Sequence, residues 1–310
     1  MRAPLVCRKT FCGCLMDHTR QVPRSNVVSS LLCALLCGVQ VSAQEPPKKT
    51  ATQSTQPAPE KGPIEDNSFL IEEAYNQEAG VVQHISAFAL EPRTRAWVYV
   101  FTQEWPLFSQ RHQLSYTLPI VSAGRGTGSG IGDVALNYRY QLADGAGSGV
   151  AVAPRLSLFV PSGDERKERG AGGVGVQVNL PISVEHSARL VTHWNAGATL
   201  TPSARNAIGD KATTRGYNYG GSVIWLAQSA LNFMLEFAGA SEESVSGPGE
   251  RVRTRSFFIS PGLRGAIDLR SGLQIVPGIA VPMGIGPSRG ERQLFFYLSF
   301  EHPFSERGKH

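Results

Sequence analysis

Beyond residue 37 the sequence has no cysteine; all five (Cys7, Cys12, Cys14, Cys33 and Cys37) stand before residue 44. A chain trimmed past that point has no disulfide, thiolate nucleophile or Cys-ligated metal to offer. Long apolar runs are also missing. Val27 to Val39, 13 residues, comes nearest to one, and a spanning helix needs about 20. Nor is there a real excess of charge. The formal net charge is +5, but Arg2, Arg8, Lys9, Arg20 and Arg24 against Asp17 supply +4 within residues 1–43 and leave +1 for the rest. A pI near 9.0 therefore does not imply a nucleic-acid partner. After the first 43 residues the histidines are His84, His112, His186, His193, His302 and His310, and no two of them have zinc-site spacing. No G-x-x-x-x-G-K-[ST] occurs, and the G-x-G-x-x-G match at 170–175 (GAGGVG) opens onto a strand pattern where a dinucleotide site needs a helix. No cofactor or metal is expected.

What the chain does contain is glycine (33), proline (20), 41% hydrophobic and 18% charged residues. This favours many short strands and turns over a helical bundle or a disordered tail. The start reads as a secretory signal: Arg20 and Arg24, then the apolar run, then Val41-Ser42-Ala43 with small residues at the expected cleavage site after Ala43. Met16 offers a second possible start. Residues 44–65 form an expected Pro-rich, disordered periplasmic linker; 44–63 contain five prolines and no aromatic or large aliphatic side chain. Ile64 to Glu78 (IEDNSFLIEEAYNQE) predicts a short helix whose Phe69, Leu70, Glu73 and Tyr75 pack on the strands after it.

After residue 78 the period becomes two. His112, Leu114, Tyr116, Leu118 and Ile120 share one face and Gln113, Ser115 and Thr117 the other; Val134, Leu136, Tyr138 and Tyr140 alternate with Asp133, Asn137, Arg139 and Gln141. The pattern predicts strands near 80–90, 95–105, 111–121, 130–142, 149–161, 173–184, 187–200, 216–227, 230–240, 254–265, 272–283 and 292–303. Long polar links such as SGDERKERGAGG, TPSARNAIGDKATTR and Ser241 to Arg253 come after odd strands, and tight ones such as EH and QS after even strands. A soluble sandwich has no reason for this asymmetry. An outer-membrane barrel does, with short periplasmic turns, long outer loops, an apolar face toward lipid and an even number of antiparallel strands. The expected fold is an all-β, transmembrane, up-and-down antiparallel barrel of about 12 strands over residues 66–304, with a polar tail at 305–310. Trp97, Tyr99 and Phe101, and Trp105, Trp194, Tyr219 and Trp225, fit interfacial girdles.

The strings NSFLIEEAYNQEAGVVQHISAF, QRHQLSYTLPI, GIGDVALNYRYQL, APRLSLFVPSGD, GVGVQVNLPISVEHSARLVTHWNAGAT and FFYLSFEHPF together resemble the outer-membrane family named after meta-pathway phenol degradation. The resemblance covers most of residues 66–304. It implies a closed barrel and a transport role for hydrophobic or aromatic compounds, with no catalytic residue.

On this alternation Asp133, Asn137, Arg139, Gln141, Arg155, Gln177, Asn179, His193, Asn195, Glu236 and Arg264 point inward, because such side chains are costly in lipid. Two uses compete. They could pair across strands, Arg139 or Arg155 with Asp133, and plug the interior, or they could line a polar passage whose electrostatic bias Arg139 and Arg155 set. The expected function is passive uptake of small, hydrophobic or aromatic molecules through an outer-membrane channel. The alternatives are a structural or docking barrel, an outer-membrane hydrolase and a secreted soluble β-protein. For a hydrolase, His193 and Asn195 imitate a catalytic pair, but the compact His-x-Ser-Asn arrangement of the outer-membrane phospholipase is missing. Expected partners are outer-membrane lipid, a small solute, the barrel-insertion machinery and, for the basic loops (Arg166, Lys167, Arg169, Lys211, Arg215, Arg251, Arg253, Arg289, Arg292), lipopolysaccharide phosphates, the alternative being solvated charge that balances nearby Asp164, Glu165 and Glu168.

Overall fold

A computed structural model describes residues 68–269 and 273–303. The signal, the linker, residues 66–67 and 270–272, Phe304 and the 305–310 tail lie outside the described residues. Twelve staves run in chain order: β1 (Val81–Glu91), β2 (Ala96–Leu107), β3 (Ser109–Ser122), β4 (130–144), β5 (150–160), β6 (Gly175–Ser187), β7 (Leu190–Arg205), β8 (Lys211–Gln228), β9 (Leu231–Gly247), β10 (250–268), β11 (274–284) and β12 (Leu294–Pro303). Each pairs antiparallel with the next. The sheet closes where β1 meets β12, from Val81 opposite Pro303 to Leu90 opposite Leu294. Closure leaves no edge, so the ladder pairs the backbone polar groups that lipid cannot.

The apolar side of the sheet faces outward. Leu136 is 48% exposed and Phe296 44%, while Arg139, between outward-facing Tyr138 and Tyr140, is 1% exposed. Trp194, Tyr219 and Trp225 are also exposed on the outer face. The inner wall is of two kinds, however. Polar side chains cover most of β3 to β7, whereas Ile85, Ala87, Ala89, Val98, Val100, Val276, Phe295 and Tyr297 make an apolar inner strip on β1, β2, β11 and β12 that continues through Ile224, Met234, Ala238 and Phe258 on β8 to β10. The sequence of β12 already shows this, since Phe295 and Tyr297 alternate with Leu294, Phe296 and Leu298 and both faces are apolar.

Three expectations change. The helix expected over 64–78 is absent among the described residues; 68–77 have no regular secondary structure, bend at 69–71 and 74 and lie inside the barrel. The polar links after the seventh and ninth strands are mostly strand. β7 and β8 are joined by 206–210 alone, and β9 and β10 by Pro248 and Gly249, with Gly249 at φ +74°. That positive φ suits glycine in a two-residue turn. At the other end Phe108, at φ +63°, is the whole link between β2 and β3. The long link 161–174 is a true loop. In it Asp164 accepts from Arg166 N at 3.1 Å, and Lys167 Nζ, 3.0 Å from Asp164, holds that carboxyl below its usual range.

Candidate functional site: the occupied lumen

The lumen is filled in its short-turn half by the chain's own residues 68–77. Seven of them, Phe69, Leu70, Ile71, Glu72, Ala74, Asn76 and Gln77, hand their backbone N–H groups to inward side chains of the wall. Phe69, Leu70 and Ile71 donate to one oxygen of Glu236 at 2.9, 2.7 and 3.2 Å. Glu72 N donates to Asn195 Oδ1 at 2.6 Å, while Asn195 Nδ2 donates back to Glu72 O at 2.5 Å. Ala74 N reaches Ser183 Oγ at 2.8 Å, Asn76 N reaches Gln141 Oε1 at 2.8 Å, and Gln77 N reaches Gln113 Oε1 at 2.6 Å. These acceptors belong to β9, β7, β6, β4 and β3, so the segment crosses the staves one after another around the inner wall. A buried strip with unpaired amides would be costly. Here wall side chains replace the helix that local pattern suggested.

The centre of the segment is charged. Glu72 is fully buried; its two carboxylate oxygens each lie 3.1 Å from Arg155 Nε, and Arg139 Nη1 lies 3.7 Å away. Asn179 Nδ2 donates to the same carboxylate at 2.5 Å. Arg155 also donates to Asn137 Oδ1 at 3.0 Å, Ser157 Oγ at 2.8 Å and Gln177 Oε1 at 3.0 Å. Arg139 donates to Asn76 Oδ1 at 2.9 Å, to Glu73 O at 3.1 Å and to Tyr75 O. Breaking such a buried pair from one side leaves an uncompensated charge and costs about 3–5 kcal/mol.

The apolar end seats against the apolar strip. The Phe69 ring stands 5.4 Å from Phe295 and 5.2 Å from Tyr297, centroid to centroid. Three wall glycines make the room: a Cβ on Gly278 would stand 2.3 Å from Phe69 Cζ, one on Gly262 2.9 Å from Phe69 Cε2, and one on Gly220 2.4 Å from Ile71 Cδ1.

All eleven residues singled out on the inward face are buried, and most of them converge on the segment. Asn137, Arg139, Gln141, Arg155, Gln177, Asn179, Asn195 and Glu236 touch Glu72, its arginines or the segment's backbone. Arg264 stands on β10 across from Asn232 in the short-turn half. Asp133 does not pair with Arg139 or Arg155 as expected. It accepts from Gly163 N at 3.0 Å and Ala171 N at 2.6 Å at the opposite rim, and so pins the 161–174 loop. The arginines take Glu72 instead, because a carboxylate from outside the sheet reaches the barrel axis and one at the rim does not. His193 does have a serine beside it: Ser183 Oγ is 2.7 Å from Nδ1. Since Ser183 also accepts from Ala74 N, this geometry joins wall to segment. Glu72, Ser183 and Gln113 were missed by sequence reasoning. The one available signal was the set of polar residues at similar depth on successive staves.

No family model and no curated protein matches this sequence. Among solved structures, an outer membrane channel from Pseudomonas putida F1 is similar at a TM-score of 0.52 and 9% identity, over 74% of this chain and 97% of that one. The NanC porin matches at 0.48 and 9%, over 72% and 100%, and the KdgM porin at 0.45 and 9%, over 72% and 99%. The fold of this chain is that of an outer-membrane β-barrel.

Proposed function

We propose that the protein is an outer-membrane passage for small molecules that its own residues 68–77 stopper in the resting state. The observation that carries this reading is the chemistry of the blockage. The segment is attached to β1 only through 78–80, and its hold on the wall is hydrogen bonds, one carboxylate between two arginines and a seated phenylalanine. Each of these can be released and re-formed without unpairing a stave. The fold shared with a channel is consistent with it.

Withdrawal of Glu72 would leave Arg139 and Arg155 facing the lumen, so the open passage favours anions, or neutral solutes with an acceptor group. The apolar inner strip beside it suits the hydrophobic or aromatic class that the family resemblance implies. A signal cleaved near Ala43, an exposed periplasmic linker at 44–65 and delivery by the barrel-insertion machinery complete the reading.

Single-channel recording in planar bilayers tests it. The wild-type chain is expected to be mostly closed, and Glu72→Gln to raise open probability at least tenfold. If Glu72→Gln, Glu236→Gln and Gly278→Ala all stay closed, and liposomes carrying them do not swell in small solutes, the barrel is a structural one and the transport reading is wrong.

A further inference from the structure

We infer that the outward face of the β7–β10 extension binds the phosphates of a bis-phosphorylated glycolipid of the outer leaflet. The extension projects from the loop end of the barrel. Its lower limit on the outer face is aromatic: Tyr217 and Tyr219 on β8 and Phe257 on β10, with the Tyr219 and Phe257 rings 6.2 Å apart. Such residues mark the lipid–water boundary.

Just beyond that line the register gathers cations. Arg205 is opposite Lys211, Arg255 is opposite Ser241, which is itself opposite Tyr217, and Arg253 and Arg251 stand opposite Glu243 and Val245. Arg215 joins them through its backbone N–H, which donates to Glu243 Oε2 at 3.0 Å. All six cations are exposed. Glu243 is the counter-charge that Arg215, Arg251 and Arg253 share, and its side chain is only 12% exposed.

That carboxylate arranges the cations without neutralising them. Arg253 Nη2 is 2.5 Å and Arg251 Nε 3.8 Å from it. Arg253 also donates to Ser241 Oγ at 3.1 Å and lies over the Tyr217 ring at 5.8 Å, and Arg251 donates to Thr213 O at 3.2 Å. Two guanidinium planes are thus fixed from beneath while their outer edges face solvent. Guanidinium forks match phosphate oxygens bidentately, and basic clusters at a membrane surface hold anionic headgroups. Four residues of strand, from Arg255 to Arg251, rise about 13 Å along β10, the scale of a headgroup. Cations elsewhere at the rim are placed differently: Arg166 and Lys167 share their loop with Asp164, Glu165 and Glu168, and Arg169 turns to Thr127 O at 3.2 Å. The site uses only the outer face, so a barrel that never conducts would still have it.

The test is a titration of the purified, folded full chain in detergent with bis-phosphorylated lipid A, dephosphorylated lipid A and inorganic phosphate, read by native mass spectrometry. Binding of the bis-phosphorylated form is expected to be at least tenfold tighter than that of the dephosphorylated one, and millimolar inorganic phosphate should not displace it. Arg251→Gln/Arg253→Gln/Arg255→Gln should lose at least tenfold, and Arg166→Gln/Lys167→Gln should lose nothing. Arg251→Lys/Arg253→Lys keeps the charge without the forks and should bind at least threefold more weakly than wild type, a reading that stands if the triple variant fails to fold. Equal binding of both lipid A forms, full displacement by inorganic phosphate, or unchanged binding by the lysine variant would each overturn the inference.

Discussion

Glu236 takes three successive amides on one carboxylate oxygen, a concave arrangement of N–H groups that selects an anionic acceptor. An amide in its place keeps one weaker acceptor and turns an NH₂ toward the same donors, so Glu236→Gln should loosen the segment at Phe69 to Ile71. Labelling measures it. Because every cysteine lies before residue 44, Ala74→Cys gives a chain without residues 1–43 one thiol, at a site that is buried. Maleimide modification of Ala74→Cys should be slow, and at least tenfold faster when combined with Glu236→Gln or Glu72→Gln. Gly278→Ala should act at the other end by pushing on the Phe69 ring, with a similar gain in labelling rate and no change in the ladder. The two arginines make a separate prediction: in a Glu72→Gln background, reversal potentials should show anion preference, and Arg139→Gln/Arg155→Gln should abolish it.

Among the elements, β9 and β10 continue as a paired ladder up to Val245 opposite Arg251 and Gly247 opposite Glu250, although their sequence there reads as a loop. Alternation is enforced by contrast between lipid and lumen; beyond the lipid both faces are wet, so the pattern disappears while the hydrogen bonds persist. An epitope inserted between Pro248 and Gly249 should therefore be tolerated and bind antibody on intact cells, with the barrel folding as before. The staves within the membrane were legible for the same reason. His112 to Ile120 and Val134 to Tyr140 alternate because each residue meets one of two solvents. The fate of 68–77 was not legible. FLIEEAY has a helix-like local pattern, and it is overridden by a set of acceptors such as Glu236, 167 residues from Phe69, which no local window contains. Likewise Arg139 and Arg155 were recognisable as inward, but their partner Glu72 lies outside the sheet they belong to.

For the molecule as a whole, closure of β1 on β12 predicts the usual heat-modifiable mobility: unboiled protein in dodecyl sulfate should migrate faster than boiled protein, and Glu72→Gln should preserve that difference. Retained mobility with altered conductance would place the effect in the stopper and not in the wall. Insertion of the barrel is constrained too, since the ring must shut around a segment that precedes its first strand. The short connection at 78–80 has one more result. On the proposed reading, re-seating is an intramolecular event governed by a high local concentration, so its rate should not depend on how much protein the membrane holds, and added free peptide of sequence 68–77 should compete poorly. Cutting the chain between Glu78 and Gly80 would turn that first-order return into a bimolecular search, and a passage that had flickered would stand open.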